Sequence, residues 1–492
     1  MSSVTVQQMR EIENHAMRSG ISEAELMECA GLALGRAIGN QYHDVGTVVA
    51  YIGKGHNGGD ALIALRVLKE EFGWQIGVRS DLNFSQLAEL TQIQWDELDL
   101  DEFSVKGFER RVYKPLLLID GLVGIGAKGA LRDSLLKMAR EMNRLRDQCG
   151  AIVVAVDVPS GVDPDSGEIY SGAVNADRTF MIGAAKSGLL QSHAANATGQ
   201  LALVEVDVLK ADQAREMELI CPQSMSFEKS PRPFDFHKGK AGRLGIIAGS
   251  SSFTGAALLS AMGAIRAGAG LVTLYVRSVI YDSMISRLPL EVMLKRCDFP
   301  EQLSEENLDA IVIGPGLGEM SQDFTYGLSQ LIAKPSVPTV IDADGLNFMA
   351  QHGLKTHKFH VLTPHPVEFE RLAPNLSQVD RENAARQFVE DNDAVLLLKG
   401  ARTIVAKAGE PLRINSTGTP AMSNGGQGDL LSGVIGALLA GGMDAFDAAA
   451  YGAWLCGHAA ELSCDANGDV CTATDTAFRL GDAMRSWRRG GR

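Results

Sequence analysis

Short, uninterrupted runs of apolar, β-favouring residues recur along the chain, each closed by Gly or Asp and followed by a helical period. In the first half Thr47–Ile52, Leu116–Ile119 and Ala151–Val156 have this form, and a helix is predicted over Ala61–Glu71, directly after a glycine-rich loop. In the second half the pattern returns at Leu244–Ala248, Leu271–Val276, Ala310–Ile313, Thr339–Ile341 and Val395–Leu398, and Leu430–Ala440 predicts a strongly apolar helix. A strand that is apolar at every position is suited to burial on both faces. Its alternation with helices predicts parallel sheets covered on both sides. The halves share this α/β class but no internal repeat. Between them Cys221–Lys238 breaks the pattern, with Pro222, Pro231 and Pro233 and no hydrophobic period, as a linker would. The expected organisation is one domain over 1–220, a linker over 221–236 and a second domain over 237–492, each long enough for its own core.

Composition narrows the class without naming a function. Of 492 residues, 45% are hydrophobic and 22% charged, as in ordinary globular proteins. A net charge of −14 argues against a general binder of nucleic acid or membrane surfaces. It leaves room for a phosphorylated small ligand cradled by backbone N–H groups. Seven cysteines without a CxxC pair predict reduced thiols in the cytoplasm, not a disulfide framework or a zinc site. The polar stretch Met1–Arg18 is not expected to be a signal peptide, and no apolar run is long enough to predict a membrane span.

Chemistry-bearing residues gather at the predicted C-terminal ends of strands, where ligands bind in such sheets. Gly53-Lys54-Gly55-His56-Asn57-Gly58-Gly59-Asp60 follows a strand and opens a helix. Its glycines permit close backbone approach, and the helix end offers free N–H groups to an anion. The spacing is neither a GxGxxG fingerprint nor a Walker A loop. The plainer reading is a tight turn with Asp60 as helix cap. Ile119-Asp120-Gly121 precedes Gly124-Ile125-Gly126-Ala127-Lys128-Gly129, and a third strand runs into Asp157-Val158-Pro159-Ser160-Gly161. Each alone suits a turn. Together they bring oxygen ligands to one rim, where Asn57, Asp120 and Ser160 could hold a cation with backbone carbonyls.

These three motifs, with Gly20-Ile21-Ser22 and Leu26-Met27-Glu28-Cys29-Ala30-Gly31, closely resemble the NAD(P)H-hydrate epimerases over roughly residues 1–215. The resemblance implies a Rossmann-like three-layer sandwich and a potassium ion held by Asn57, Asp120 and Ser160. It implies hydrate binding by His56, Asn57, Gly58, Gly59 and Asp60, by Gly124, Ile125, Gly126, Ala127, Lys128, Gly129 and Ala130, and by Asp157. Asp157 is the candidate for proton transfer with water as the ring nitrogen expels and regains hydroxide. The family usually carries Asn at the position of His56 and commonly Ala at that of Gly121.

In the second half Asn424-Gly425-Gly426-Gln427-Gly428-Asp429 precedes the predicted apolar helix. Small residues at a helix start form an anion hole from backbone amides, and an acid there can take a proton from a hydroxyl attacking a terminal phosphate. Helix capping by Asp429 is the plainer reading. Around it lie His237–Gly242, Ala264–Gly270, Gly314-Pro315-Gly316-Leu317-Gly318, Asp342-Ala343-Asp344-Gly345-Leu346-Asn347, Thr363-Pro364-His365-Pro366-Val367-Glu368 and Lys399-Gly400-Ala401-Arg402-Thr403. As an ordered set these resemble the ADP- or ATP-dependent NAD(P)H-hydrate dehydratases of the ribokinase-like superfamily, from about His237 onward. The resemblance implies a ribokinase-like three-layer sandwich, with Asp429 acting on the hydrate's hydroxyl. It places Ala264, Gly316, Gly318 and His365 on the hydrate. It places Lys399, Gly400, Ala401, Arg402, Thr403, Gly426, Gln427 and Gly428 on the nucleotide, which magnesium accompanies. The family usually has Ser where this chain has Gln427.

The expected activity is repair of hydrated NADH and NADPH, by epimerisation in the first half and nucleotide-driven dehydration in the second. The partners are small molecules, with ADP or ATP as co-substrate, no nucleic acid and no membrane, and a homo-oligomer is compatible with the pattern. Two other readings stand beside this one: a ribokinase-like kinase for a vitamin precursor, and a first half that binds without catalysing.

Overall fold

The structure, a computed structural model, describes residues 3–98, 113–209, 216–223, 225, 233–235, 237–468 and 470–490. The chain divides into two compact units, Met1–Leu219 and Ile220–Gly491. Ile220 and Met225 are buried in the second unit's core, and Gln223 Nε2 donates to the Gly490 carbonyl at 2.8 Å. Part of the segment expected as a linker is therefore built into the second unit. Its stretch 226–232 lies outside the described residues.

The first unit carries a six-stranded parallel sheet in the order Gln75–Arg79, Thr47–Ile52, Leu116–Gly121, Ile152–Val156, Arg178–Ile182, Gln200–Val204. Successive residues of its central strands feed two separate cores. Val48, Ala50 and Ile52 pack on one face with the helices Glu23–Gln41 and His56–Glu70, while Val49 and Tyr51 pack on the other with Asp133–Cys149. Burial on both faces makes these strands almost wholly apolar, and it gives the unit three layers. The sheet order reverses between Thr47–Ile52 and Leu116–Gly121, so the loops leaving these neighbours diverge and open a crevice.

In the second unit the strands from Arg243 onward run in the order Val292–Arg296, Leu271–Val276, Arg243–Ile247, Ala310–Ile313, Thr339–Ile341, His360–Leu362, Val395–Leu398, Thr403–Ala406, Leu412–Asn415. The first seven are parallel. The last two are antiparallel, which corrects the expectation of a wholly parallel sheet: Thr403–Ala406 and Leu412–Asn415 form a hairpin, whose short connection cannot return a parallel strand. One face packs against Thr254–Ala267, Gln427–Ala440, Ala445–Asn467 and Ala473–Arg488, with Tyr451, Trp454 and Trp487 deep in that core. The reversal of order lies between Arg243–Ile247 and Ala310–Ile313, where Gly249 N–H donates to the Pro315 carbonyl at 2.8 Å. Among the described residues no helix is long and apolar enough to cross a membrane.

Candidate active sites

At the first unit's crevice a cavity of about 800 Å³ is lined by His56, Asn57, Asp60, Gly124, Ile125, Gly126, Ala127 and Asp157, with Arg10 and Glu13 from the helix Val6–Arg18. The helix expected from Ala61 begins at His56, capped by Gly55 without a side-chain bond. Residues Asn57–Asp60 are therefore helical, and Asp60 is not the cap. Gly58 and Gly59 are buried in that first turn, and Lys128, Gly129 and Ala130 lie beyond the cavity wall. His56 stands exposed at the wall, its Nδ1 3.6 Å from Glu23 Oε1. Gly121 leaves room that a Cβ would take at 2.8 Å from Ala61 Cβ and 3.1 Å from the Asn57 carbonyl.

The three oxygen residues meet around Val123. Asn57 Nδ2 donates to the Val123 carbonyl at 3.0 Å, and Val123 N–H donates to Ser160 Oγ at 3.1 Å. Asp120 is fully buried. It accepts from Ser160 N–H at 2.7 Å, Ser160 Oγ–H at 2.6 Å and Leu122 N–H at 3.3 Å. Burial pushes its carboxyl up to about 6 against those hydrogen bonds, and among the described residues no cationic side chain contributes. A buried carboxyl served by neutral donors alone, among oxygen ligands, suits a hard cation of low charge.

Asp157 carries the other charge. Its Oδ1 accepts from Ile182 N–H at 2.9 Å and from Lys186 Nζ. Lys186 is wholly buried and also donates to the Ile182 carbonyl at 2.8 Å. Burial holds Asp60 well above the usual carboxylate range, with Asp157 and Glu13 adding repulsion and Lys186 opposing them. Glu13 is raised by burial and then by Asp157. The sequence reading missed Glu13 and Lys186: one lies on a surface-patterned helix, the other in a two-residue strand, and neither stands in a motif.

The second unit's site begins at Gly426, whose φ of +98° turns the chain into the helix Gln427–Ala440; glycine enters that left-handed region without strain. The first intrahelical bond runs from Leu430 N–H to the Gly426 carbonyl at 3.0 Å. The N–H groups of Gln427, Gly428 and Asp429 are therefore left for an anion. A Cβ on Gly428 would sit 3.1 Å from Lys399 Nζ, so glycine lets the lysine reach the helix end. Lys399 Nζ donates to Asp342 Oδ1 at 2.7 Å. Burial would lower the lysine, but Asp342 and then Glu368 and Asp429 outweigh it and hold it above its ordinary value. Asp429 is pushed up to about 7, by burial first and then by Asp342, with Lys399 opposing and Asp344 and Glu368 adding.

The remaining expected residues are distributed around this centre. Gly318 N–H donates to Asp344 Oδ2 at 2.9 Å, and Gly316 packs with φ +61° against Phe253. Ala264 is fully buried within the helix Thr254–Ala267. His365 caps the helix Pro366–Leu372: its Nδ1 accepts from Val367 N–H at 3.2 Å and Glu368 N–H at 3.4 Å, while its own N–H donates to Glu368 Oε2 at 2.9 Å. Gly400 and Ala401 are exposed, Thr403 Oγ1 donates to the Gly400 carbonyl at 3.1 Å, and Arg402 is buried, which lowers its guanidinium to about 10. Arg381 braces the loop through the Leu398 and Lys399 carbonyls. Among the described residues the Gln427 side-chain amide, both atoms buried, has no hydrogen-bond partner. Asp342 and Asp344 were visible as a motif but not as the lysine's partner and the glycine loop's anchor. Ala343 between them takes φ +46°, a strained backbone for a non-glycine residue.

Comparison with known proteins matches both units. Residues 23–188 match the family described as YjeF-related protein N-terminus, and residues 244–480 match NAD(P)H-hydrate dehydratase. A bifunctional NAD(P)H-hydrate repair enzyme of Gloeobacter violaceus is 34% identical over 464 residues, covering 88% of each chain. Its counterpart in Escherichia coli is 33% identical over 455 residues, covering 90% of this chain and 86% of that one. An ADP/ATP-dependent NAD(P)H-hydrate dehydratase structure from Bacillus subtilis aligns with a TM-score of 0.46 at 28% identity, over 52% of this chain and 94% of that one.

Proposed function

The chain belongs to the bifunctional NAD(P)H-hydrate repair enzymes, and from that premise we propose how its two sites divide the repair of hydrated NADH and NADPH. The epimerase part is the first unit and the dehydratase part the second, in a cytoplasmic protein that accepts both hydrates. A stereospecific dehydratase clears the S form, and the epimerase converts the R form into it.

In the second unit Asp429 takes the proton from the hydrate's hydroxyl as that oxygen attacks the terminal phosphate of ADP or ATP. The N–H groups of Gln427, Gly428 and Asp429 hold the transferred phosphate, and Lys399–Thr403 hold the nucleotide. Hydroxide is a poor leaving group and phosphate a good one, so the ring nitrogen then expels phosphate and restores the dihydropyridine. AMP or ADP is the other product. Ala264, Gly316, Gly318 and His365 face the hydrate. Magnesium keeps much of its water and binds through substrate phosphates, so it would enter with the nucleotide, where it neutralises phosphate charge. The observation that carries this reading is Asp429: an acid raised to about 7, at a helix end with three free N–H groups, is both a base near neutrality and a neighbour of the phosphate.

In the first unit His56–Asp60, Gly124–Ala130 and Asp157 bind the hydrate, and Asp157 moves the proton of the returning water. Asn57, Asp120 and Ser160 would hold potassium, which when bound supplies the charge that the buried Asp120 lacks.

Racemic NADH hydrate, magnesium and potassium, with ADP or ATP, give the direct test. Complete, nucleotide-dependent return of dihydronicotinamide absorbance with release of free phosphate is the expected result. A stable phosphorylated product would instead make the second unit a kinase, and recovery that halts after one epimer would leave the first unit a binding module.

A further inference from the structure

The first unit's cavity holds more ionisable groups than epimerisation by Asp157 alone requires, and a catalytic part for the others rests on the epimerase reading of that cavity. Asp157 leaves its strand with φ +65°, a left-handed backbone that a non-glycine residue adopts only where its surroundings enforce it. A closed circuit enforces it. Asp157 N–H donates to the Phe180 carbonyl at 2.9 Å, Ile182 N–H to Asp157 Oδ1 at 2.9 Å, and Lys186 Nζ to both Asp157 Oδ1 and the Ile182 carbonyl. The backbone of Lys186 is fixed in turn, because Ala185–Lys186 pairs in parallel with Ser3–Val4. The helix after Ser3–Val4 brings Arg10 and Glu13 to the cavity, and the helix His56–Glu70 brings His56 and Asp60. One buried lysine thus stands among three carboxyl groups, Glu13, Asp60 and Asp157, and its hydrogen bond goes to Asp157.

We propose that Lys186 is a positioning residue of epimerisation, holding the Asp157 carboxyl fixed at the cavity wall so that Asp157 serves as base and Asp60 as acid. Asp60 lines the same cavity as Asp157, and burial raises its carboxyl well above the usual carboxylate range, which suits it to donate a proton. The step balances without oxidant or reductant. The Asp60 proton passes to the hydrate's hydroxyl oxygen, the C–O bond breaks, and the ring nitrogen's lone pair forms a C=N bond as water departs. A water adds to the other face, its electron pair forming the new C–O bond while the C=N pair returns to nitrogen. Its proton passes to Asp157, and solvent in the cavity carries a proton back to Asp60 between turnovers.

The test uses the full-length protein and one purified epimer of NADH hydrate without nucleotide, so that dehydration is silent, with the other epimer measured by chromatography across pH. Lys186→Met is expected to lower kcat about 100-fold with KM within about threefold, since the Asp157 carboxyl loses the partner that holds it at the cavity wall. Lys186→Arg keeps a charged donor and is expected to restore much of kcat. Asp60→Asn is expected to remove the alkaline limb. An unchanged kcat in Lys186→Met, or a loss that Lys186→Arg does not rescue, would remove the positioning role, and a full bell in Asp60→Asn would remove the acid. Should Lys186→Met abolish the first unit's melting transition, the near-isosteric Asp60→Asn and charge-keeping Lys186→Arg decide the matter. Wild-type protein that does not interconvert the epimers would overturn the epimerase reading itself, a result distinct from the others.

Discussion

The two units place a lysine among acids at the C-terminal ends of parallel strands, yet they use it in opposite ways. In the first, Lys186 bonds directly to Asp157, the proposed base. In the second, Lys399 bonds to Asp342, a neighbour of the proposed base, and Asp429 is left to rise to about 7. A directly paired carboxylate is fixed in orientation by its partner. An unpaired, buried one changes state near neutrality and suits taking a proton in step with phosphoryl transfer. The choice of partner for one ammonium group separates the two behaviours.

The sharpest way to break that comparison is Asp429→Asn. Dehydration should fall by about 10²–10⁴-fold while interconversion of epimers is unchanged, measured separately with and without nucleotide; equal loss of both would mean the sites are not independent. Asp157→Asn should do the reverse, lowering epimerisation about 10²-fold, so that racemic hydrate is repaired only as far as one epimer. The unpaired acid of the second unit also predicts a pH dependence. Asp429 acts as its carboxylate, which forms above about 7, so dehydratase kcat/KM should rise with pH through that region, and a flat profile there would remove Asp429 as the base. Replacing potassium by a bulky organic cation should slow epimerisation and lower the first unit's melting midpoint by roughly 2–4 °C, with the second unit's midpoint unmoved. The smallest effect is expected at Gln427→Ser. Removing a buried amide without a partner should stabilise the second unit by about 1 kcal/mol, read as a rise in its melting midpoint.

Much of this was legible where burial leaves a strong mark. Leu271–Val276, Ala310–Ile313, Thr339–Ile341 and Val395–Leu398 are strands with the bounds that their apolar runs predict, because strands buried on both faces carry few polar side chains. Edge strands leave a weaker mark: Gln75–Arg79 and Val292–Arg296 carry exposed polar residues and show no uninterrupted apolar run. The glycine loops marked both sites but not where their helices start. Asn57–Asp60 and Gln427–Asp429 are already helical, since glycine and polar residues at a helix start are read equally well as loop. The charges that tune the sites were the least visible. Glu13 and Lys186 reach Asp157 from segments 144 and 29 residues away in number (157 − 13 and 186 − 157), and only the packed sheet and its flanking helices bring them together.

The pairing of Ser3–Val4 with Ala185–Lys186 has a consequence for how the protein is made. Synthesis produces early the strand that later braces the buried lysine, and that strand has no partner until nearly the whole first unit has left the ribosome. Contacts of such long sequence separation form late, so these early residues would dock last. A nascent first unit halted short of Lys186 would keep its glycine loop and its crevice strands while lacking the brace on Asp157. Epimerase competence would then arrive in one step, near the end of that unit's translation.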